Sequence, residues 1–319
     1  MTIGVSWSHL EDVRGNSDEG AIRAAIAKAG AIYLDSDAHG STTRQAADVE
    51  SLVAGGANAL IVVASDTHSL AAAVKLASDK GVAIVAYQQV IDSPDVLYVA
   101  FDNAEAGRMM ATALLAAKST GRYAFMRGPK GDTRSEQIHA GALEILKPAI
   151  DAGKVRIADE AFVERWDPDG AMAIARDIFG KTHARIDAMV CESDAMAGGV
   201  IAALSAQGMT GAAVSGVGGD HAAINRVALG AQTVSVAEDA SDLGRTAAEA
   251  AIALAQGKKR SDIEDAKPFS GPNGVTLDAI LLPPVAITRD NLNIAIDRGW
   301  MTKLQICSGV KPGVTPFCG

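Results

Sequence analysis

Apolar and polar positions follow a repeating block pattern along this chain. A short unbroken apolar run ends in a polar tip, and a longer segment follows with apolar residues every three or four positions. Short continuous runs suit strands buried on both faces, and the longer segments suit amphipathic helices. The pattern predicts strands over 2–6, 31–34, 59–64, 82–86 and 96–101, then 122–126, 155–159, 186–191, 213–216 and 232–236, and finally 275–282 and 285–287. Helices are predicted between them over 18–29, 42–54, 69–80, 104–118, 135–150, 171–179, 195–207, 221–228 and 242–255, with another after Asp290. Ser41 or Thr42 is placed to cap the second helix, and Gly55-Gly56 to end it. The charged, Gly- and Pro-rich stretch 258–274 reads as a surface excursion.

Strand–helix alternation of this kind builds a doubly wound parallel sheet. The rhythm restarts after Asn103, so the chain reads as α/β with two such lobes, residues 1–103 plus 238–283 and residues 104–237 plus 284–319. Three crossings, near Asn103, Ala237 and Pro283, would make a three-strand hinge on which the lobes close. The length of 319 residues agrees with two domains. Ligands of open parallel sheets bind beyond the carboxyl ends of the strands. The stretch 82–103 therefore organises the reading, because its first strand runs out into Gln88 and Gln89.

Composition narrows the classes. Aromatic residues are only 4% of the chain, so any near a strand end merits inspection. A net charge of −9 argues against a nucleic-acid partner, whose phosphates need a basic face. No apolar run approaches the ~20 residues of a membrane span. A strand-like run starts directly after Met1, which reads as a mature form restarted with Met after removal of an export signal. Of three cysteines, Cys191 falls in an apolar strand, and Cys307 and Cys318 flank a Gly/Pro-rich tail. The latter two are either bridged, which would point to an oxidising compartment, or a pair of thiols. The six histidines show no paired metal-ligand spacing. His9 and His221 follow strands and either line a cleft or are ordinary surface residues. Gly216-x-Gly218-Gly219 follows a strand but fits neither dinucleotide nor P-loop spacing.

Five stretches carry a family resemblance: Val99-Ala100-Phe101-Asp102-Asn103, Leu146-Lys147-Pro148, Ser193-Asp194-Ala195-Met196-Ala197-Gly198-Gly199, Ala203-Leu204-Ser205-Ala206-Gln207-Gly208 and Ala228-Leu229-Gly230-Ala231-Gln232-Thr233. In this order they resemble the periplasmic sugar-binding proteins of bacterial ABC importers, in the D-xylose-binding and multiple-sugar-binding branch. The similarity runs from about Ile3 to Trp300. It implies a type I periplasmic binding protein with a Venus-flytrap architecture and a sugar gripped by polar side chains against aromatic rings. By position, Arg14, Asp132 and Trp166 match family cleft residues, while Asp102 and Asp194 match residues that organise loops. The departures are as informative. An Asp-Arg pair in the pentose-binding branch is Gln88-Gln89 here. A second-lobe Asp is Gly218, a Lys is Glu238, an Asn is Arg134, and an aromatic beside Arg14 is Gly15, with Trp7 available to supply the lost ring face.

Each candidate has a bland alternative. Trp166 and Trp7 either stack on a sugar or pack within a lobe. Gln88 and Gln89 suit neutral hydroxyls or an interlobe hydrogen bond. Arg14, Arg134 and Glu238 either meet a ligand or form a latching ion pair. Asp132 is read as a ligand acceptor and Ser193 as a further contact, whereas Asp220 and Glu192 sit where strand-tip acids often cap helices. The resulting expectation is an exported, monomeric, non-catalytic solute-binding protein. Its partners would be a small polyhydroxylated ligand and the membrane permease of an ABC importer, with no cofactor and no metal. A sugar-sensing receptor subunit and a sugar-modifying enzyme are the alternatives.

Overall fold

The computed structural model describes the chain except residues 11–12, 66–67 and 183–185, and apart from the side chains of residues 13–16, 182 and 272. In chain order the first strands and helices are β1 (Thr2–Trp7), α1 (Val13–Lys28), β2 (Ile32–Asp37), α2 (Thr42–Ala54), β3 (Ala59–Val63), α3 (Ala71–Asp79), β4 (Ala83–Tyr87) and β5 (Val96–Phe101). Then follow α4 (Asn103–Ala117), β6 (Gly121–Arg127), α5 (Thr133–Asp151), β7 (Val155–Phe162), α6 (Pro168–Thr182), β8 (Ala188–Cys191), α7 (Asp194–Ala206), β9 (Ala213–Gly218), α8 (His221–Leu229) and β10 (Val234–Ala237). The chain ends with α9 (Ala240–Ala255), β11 (Lys267–Ser270), β12 (Thr276–Leu282), β13 (Val285–Ile287), α10 (Asn293–Asp297) and α11 (Lys303–Ile306).

These elements form two compact units, Met1–Phe101 with Asp239–Pro283, and Asp102–Glu238 with Pro284–Gly319. The first holds a seven-stranded sheet of order β11-β12-β5-β4-β3-β1-β2, and the second a six-stranded sheet of order β13-β10-β9-β8-β6-β7. Both are parallel except at one edge, where β11 and β13 run antiparallel to their neighbours. Each unit thus winds its first five strands in the spatial order 2-1-3-4-5. The winding reverses between β1 and β3 in the first unit and between β6 and β8 in the second. Loops leaving opposite faces of a sheet diverge at such a reversal and open a crevice at the carboxyl edge.

Burial follows from that winding. In the first unit Ile3, Val5 and Trp7, alternate residues of β1, share an apolar layer with Ile22 and Ile26 of α1 and with Leu243, Ala247 and Leu254 of α9. The opposite face packs Leu60 and Val62 against Val49 and Leu52 of α2 and Val74 of α3. In the second unit α4 and α5 cover one face through Met110, Leu114 and Ile138. Helices α6 and α7 cover the other through Ala175, Ile178 and Val200.

Three local readings need correction. Helix α1 opens at Val13, five residues before the expected start, because the weak helix formers Gly15, Asn16 and Ser17 hide its first turn. The stretch 258–274 is not merely a loop, since it holds a 3-10 turn at Arg260–Asp262 and the strand β11. Pro268 disguises β11 as a break, yet proline is compatible with an edge strand, and here it stands opposite Asp278. The strand expected from Gln232 begins at Val234, and Gln232 instead spends its side chain on Asp194.

Candidate functional site

In the first unit the carboxyl edge is shaped at Tyr87-Gln88-Gln89. The buried Asp18 carboxylate accepts the Tyr87 hydroxyl at 2.6 Å and the Gln88 amide at 2.9 Å. The Gln88 carbonyl accepts the Tyr98 hydroxyl at 3.0 Å, and the Gln89 N–H returns to the Tyr87 carbonyl at 2.6 Å. Gln88 adopts φ +60°, in the left-handed region that side chains other than glycine visit at a cost. Hydrogen bonds from α1 and β5 hold the residue there, half-buried. Gln88 and Gln89 stand out in the sequence as candidates at a strand tip, whereas Asp18 does not. Nothing in its spacing distinguishes it from any other acid in a helix.

Trp7 is built into the first unit's core. Its Nε1–H donates to the Tyr33 hydroxyl at 3.4 Å, and the ring is 2% exposed. The period of two along β1 explains this, because Trp7 shares the face of Ile3 and Val5. The stacking face expected of Trp7 is replaced by this packing. Arg14 lies in the first turn of α1, and its side chain falls outside the described residues.

In the second unit the edge is more elaborate. Trp166, just past β7, has φ +58° and leans on the apolar layer of α6 and α7. Its indole occupies the space that a Cβ at Gly128 would need, so glycine at the tip of β6 is what admits the ring. The Arg134 guanidinium lies 5.5 Å from the centre of that ring. Arg134 donates through Nη2 to Glu238 Oε2 at 2.9 Å and through Nε to Asn103 Oδ1 at 3.4 Å. Asn103 in turn donates to Gln137 at 2.9 Å. Gly128 and Asn103 lie outside the set nominated from sequence, since neither residue type announces such a role.

Several nominated polar residues also serve helix ends. Asp132 accepts the Ser135 N–H at 2.8 Å, Ser193 the Met196 N–H at 3.2 Å and Asp220 the Ala223 N–H at 2.7 Å. A capping carboxylate keeps a second oxygen for other work, whereas the capping hydroxyl of Ser193 has less to offer. Glu192 is buried, accepting the Gly128 N–H at 2.9 Å and the Ser135 hydroxyl, with Arg127 Nε at 3.6 Å. Burial pushes its carboxyl up to about 7 despite those donors. Asp194 accepts the Gly219 N–H, the Ser235 hydroxyl and the Gln232 amide at 2.6–2.7 Å. A Cβ at Gly216 would strike its carboxylate, so the glycine-rich turn is a cradle for Asp194 rather than for a phosphate.

Cys307 and Cys318 form a disulfide, and their tail packs with Leu292, Met301 and Ile306 in the second unit. Cys191 is a buried thiol whose pKa burial pushes up, which leaves it unreactive. Among the described residues, one side-chain group is arranged as metal ligands are, namely His9, Asp37 and His39. The linear spacing of the histidines conceals it, because parallel pairing of β1 and β2 creates it. No helix of the described chain is long and apolar enough to cross a membrane.

Comparisons with known proteins bear on this arrangement. Residues 3–259 match the periplasmic binding protein domain, so the chain belongs to the periplasmic binding protein family. It is 31% identical to the D-xylose-binding periplasmic protein of Escherichia coli strain K12, over 92% of this chain and 88% of that protein. It is 28% identical to a xylitol-binding protein of Mycolicibacterium smegmatis, over 92% of this chain and 79% of that one. The fold is shared with an ABC transporter solute-binding protein from Clostridium phytofermentans carrying β-D-glucose. That match has a TM-score of 0.83 and 23% identity and covers 96% of this chain and 100% of that one. It is shared as well with a Caulobacter myo-inositol-binding protein, at TM-score 0.78 and 24% identity over 94% and 97% of the two chains. Both units are thus those of a type I periplasmic binding protein.

Proposed function

We propose that the chain is an exported solute-binding protein that captures a monosaccharide or sugar alcohol and delivers it to the permease of an ABC importer. The observation that carries this reading is the pairing of Trp166 with Arg134 at the carboxyl edge of the second sheet. An aromatic face suits the C–H face of a polyol or sugar ring, and a guanidinium fork suits its hydroxyl oxygens. The first unit would contribute Gln88 and Gln89, whose amides donate to and accept from neutral hydroxyls. The second would contribute Arg134, Trp166 and the second carboxylate oxygen of Asp132. Glu238 and Ser193 act by holding neighbouring groups, and Arg14 is proposed on its position alone. A ligand that engages both units favours whichever arrangement lets it touch both, and that arrangement is what the permease reads. The names of the relatives, a D-xylose-binding and a xylitol-binding protein among them, support the ligand class.

The residues that grip the ligand differ in charge from those the resemblance implies. Gln88-Gln89 replaces a charged pair, and Arg134 arrives with Glu238 as its partner. We therefore favour a sugar alcohol, a furanose or a less common pentose. Binding without turnover is expected, because a binding protein needs no group that attacks or protonates the ligand. A thermal-shift panel of pentoses, hexoses, polyols and amino sugars tests the reading, since a ligand specific for the folded form raises the melting temperature. The reading expects a dose-dependent rise with at least one polyol or sugar, and a flat panel would remove it.

A further inference from the structure

We propose that His9, Asp37 and His39 form a binding site for a divalent transition-metal ion of the zinc class on the first unit. Strands β1 and β2 are adjacent and parallel, with Trp7 opposite Asp37. His9 and His39 each lie two residues beyond that pair, so the register sets them level. The ladder also continues past the strands. The Ala38 N–H donates to the Trp7 carbonyl at 2.9 Å, and the Gly40 N–H to the Ser8 carbonyl at 2.7 Å. The two histidine-bearing turns are therefore tied to each other through backbone.

Asp37 is oriented by its surroundings. Its Oδ1 accepts the His39 N–H at 2.8 Å, and its Oδ2 accepts the Leu10 N–H at 3.3 Å. Held this way, Oδ2 stands 3.3 Å from His39 Nδ1. Ligand atoms bound tetrahedrally to one zinc ion at about 2.0–2.2 Å stand about 3.3–3.5 Å apart, so this pair already has ligand spacing. The donor atoms of all three residues lie within 4.8 Å of one another, and the two rings are 6.5 Å apart centre to centre. Ligands of a single ion are at most about 4 Å apart on those bond lengths. Small rotations of the two exposed rings supply the difference. His39 has φ +49°, a left-handed turn that directs its ring back toward Asp37.

The donor set selects the ion. Two imidazoles and one carboxylate suit zinc, nickel or copper(II), whereas calcium and magnesium take oxygen ligands. Among the described residues the group offers three protein ligands, and water or a donor from a bound solute can complete the coordination. This site does not rest on the carbohydrate reading. Its residues are distinct from Gln88, Gln89, Arg134 and Trp166, and either reading can fail alone.

The test is calorimetric titration of the chain, without an affinity tag, with zinc chloride, repeated on His9→Ala, His39→Ala and His68→Ala. His68, whose Nδ1 lies 3.4 Å from Asp92 Oδ2, belongs to no such three-ligand group among the described residues and serves as the control. The site predicts one equivalent of zinc bound at micromolar concentration. It predicts a loss of about tenfold or more in affinity in each of the first two variants and no change in the third. Imidazole nitrogen resonances of His9 and His39 should move with the first equivalent while those of His68, His139 and His221 stay. Absence of saturable binding in the micromolar range would overturn the site, as would binding that survives either the His9 or the His39 substitution. All three side chains are exposed, so the variants should keep the parent's circular dichroism.

Discussion

Arg134 and Glu238 are joined at 2.9 Å in the second unit, with the Glu238 side chain 1% exposed and Arg134 26% exposed. A carboxylate so buried is tolerated when it is paired, and it fixes the direction of the guanidinium it pairs with. Glu238 is on this account a positioning residue and Arg134 a ligand contact. Arg134→Ala should weaken binding of the best ligand about tenfold or more, and Glu238→Ala should cost a similar factor by releasing Arg134. In the double variant the two losses should not add. Additive losses in that cycle would make Glu238 a ligand contact in its own right.

Trp166 depends on Gly128 for its place. Gly128→Ala should displace the indole and weaken ligand binding, with a stability cost of about 1–3 kcal/mol from overpacking. Trp166→Ala should weaken binding about tenfold, equivalent to about 1.4 kcal/mol. The intrinsic fluorescence change on ligand addition should vanish in Trp166→Phe, which leaves the other two of the three tryptophans in place. A twofold or smaller effect of Trp166→Ala would show that the ring only packs.

Glu192 gives the second unit a pH dependence. Burial raises its carboxyl from 4.5 to about 7. The folded form therefore holds a proton that the unfolded chain releases above pH 4.5. The stability associated with that proton is fully present below pH 4.5 and is lost as pH rises through about 7. The full loss is on the order of 3 kcal/mol. The melting temperature should accordingly fall between pH 5 and pH 8, and Glu192→Gln should reduce that fall, leaving the part due to Asp194, whose carboxyl burial raises to about 6. An unchanged slope in that variant would assign the dependence to other groups.

The disulfide tail should matter for stability alone. Replacing Cys307 and Cys318 with serine opens a short loop that packs on Met301 and Ile306. The loss should be about 3 kcal/mol on the loop-entropy account, or several degrees in Tm. Affinity measured well below that Tm should stay within about twofold. A larger change would link the tail to the ligand site.

The alternation of apolar runs and amphipathic segments made nearly every strand and helix legible, because a doubly wound sheet imposes one local period at a time. The exceptions are instructive. The strand β11 escaped notice because Pro268 reads as a breaker until its edge position is known. Trp7 looked like a free ring face because a strand's last residue can point to either side. Which side it takes follows from the packing of α1 and α9. Candidate contacts at strand tips were found by residue type and by resemblance. Their supports, Asp18, Asn103 and Gly128, come from distant or chemically ordinary positions. The His9–Asp37–His39 group is invisible in one dimension, since strand pairing alone sets two histidines thirty residues apart side by side.

The central claim is that this chain binds a small polyhydroxylated solute and leaves it unchanged. Isothermal titration of the purified protein with the strongest hit of the carbohydrate and polyol panel, followed by chromatography of the recovered solute, tests that claim most directly. The account predicts saturation at one solute per chain and recovery of the same compound. No saturation with any member of the panel, or recovery of a converted product, would contradict it.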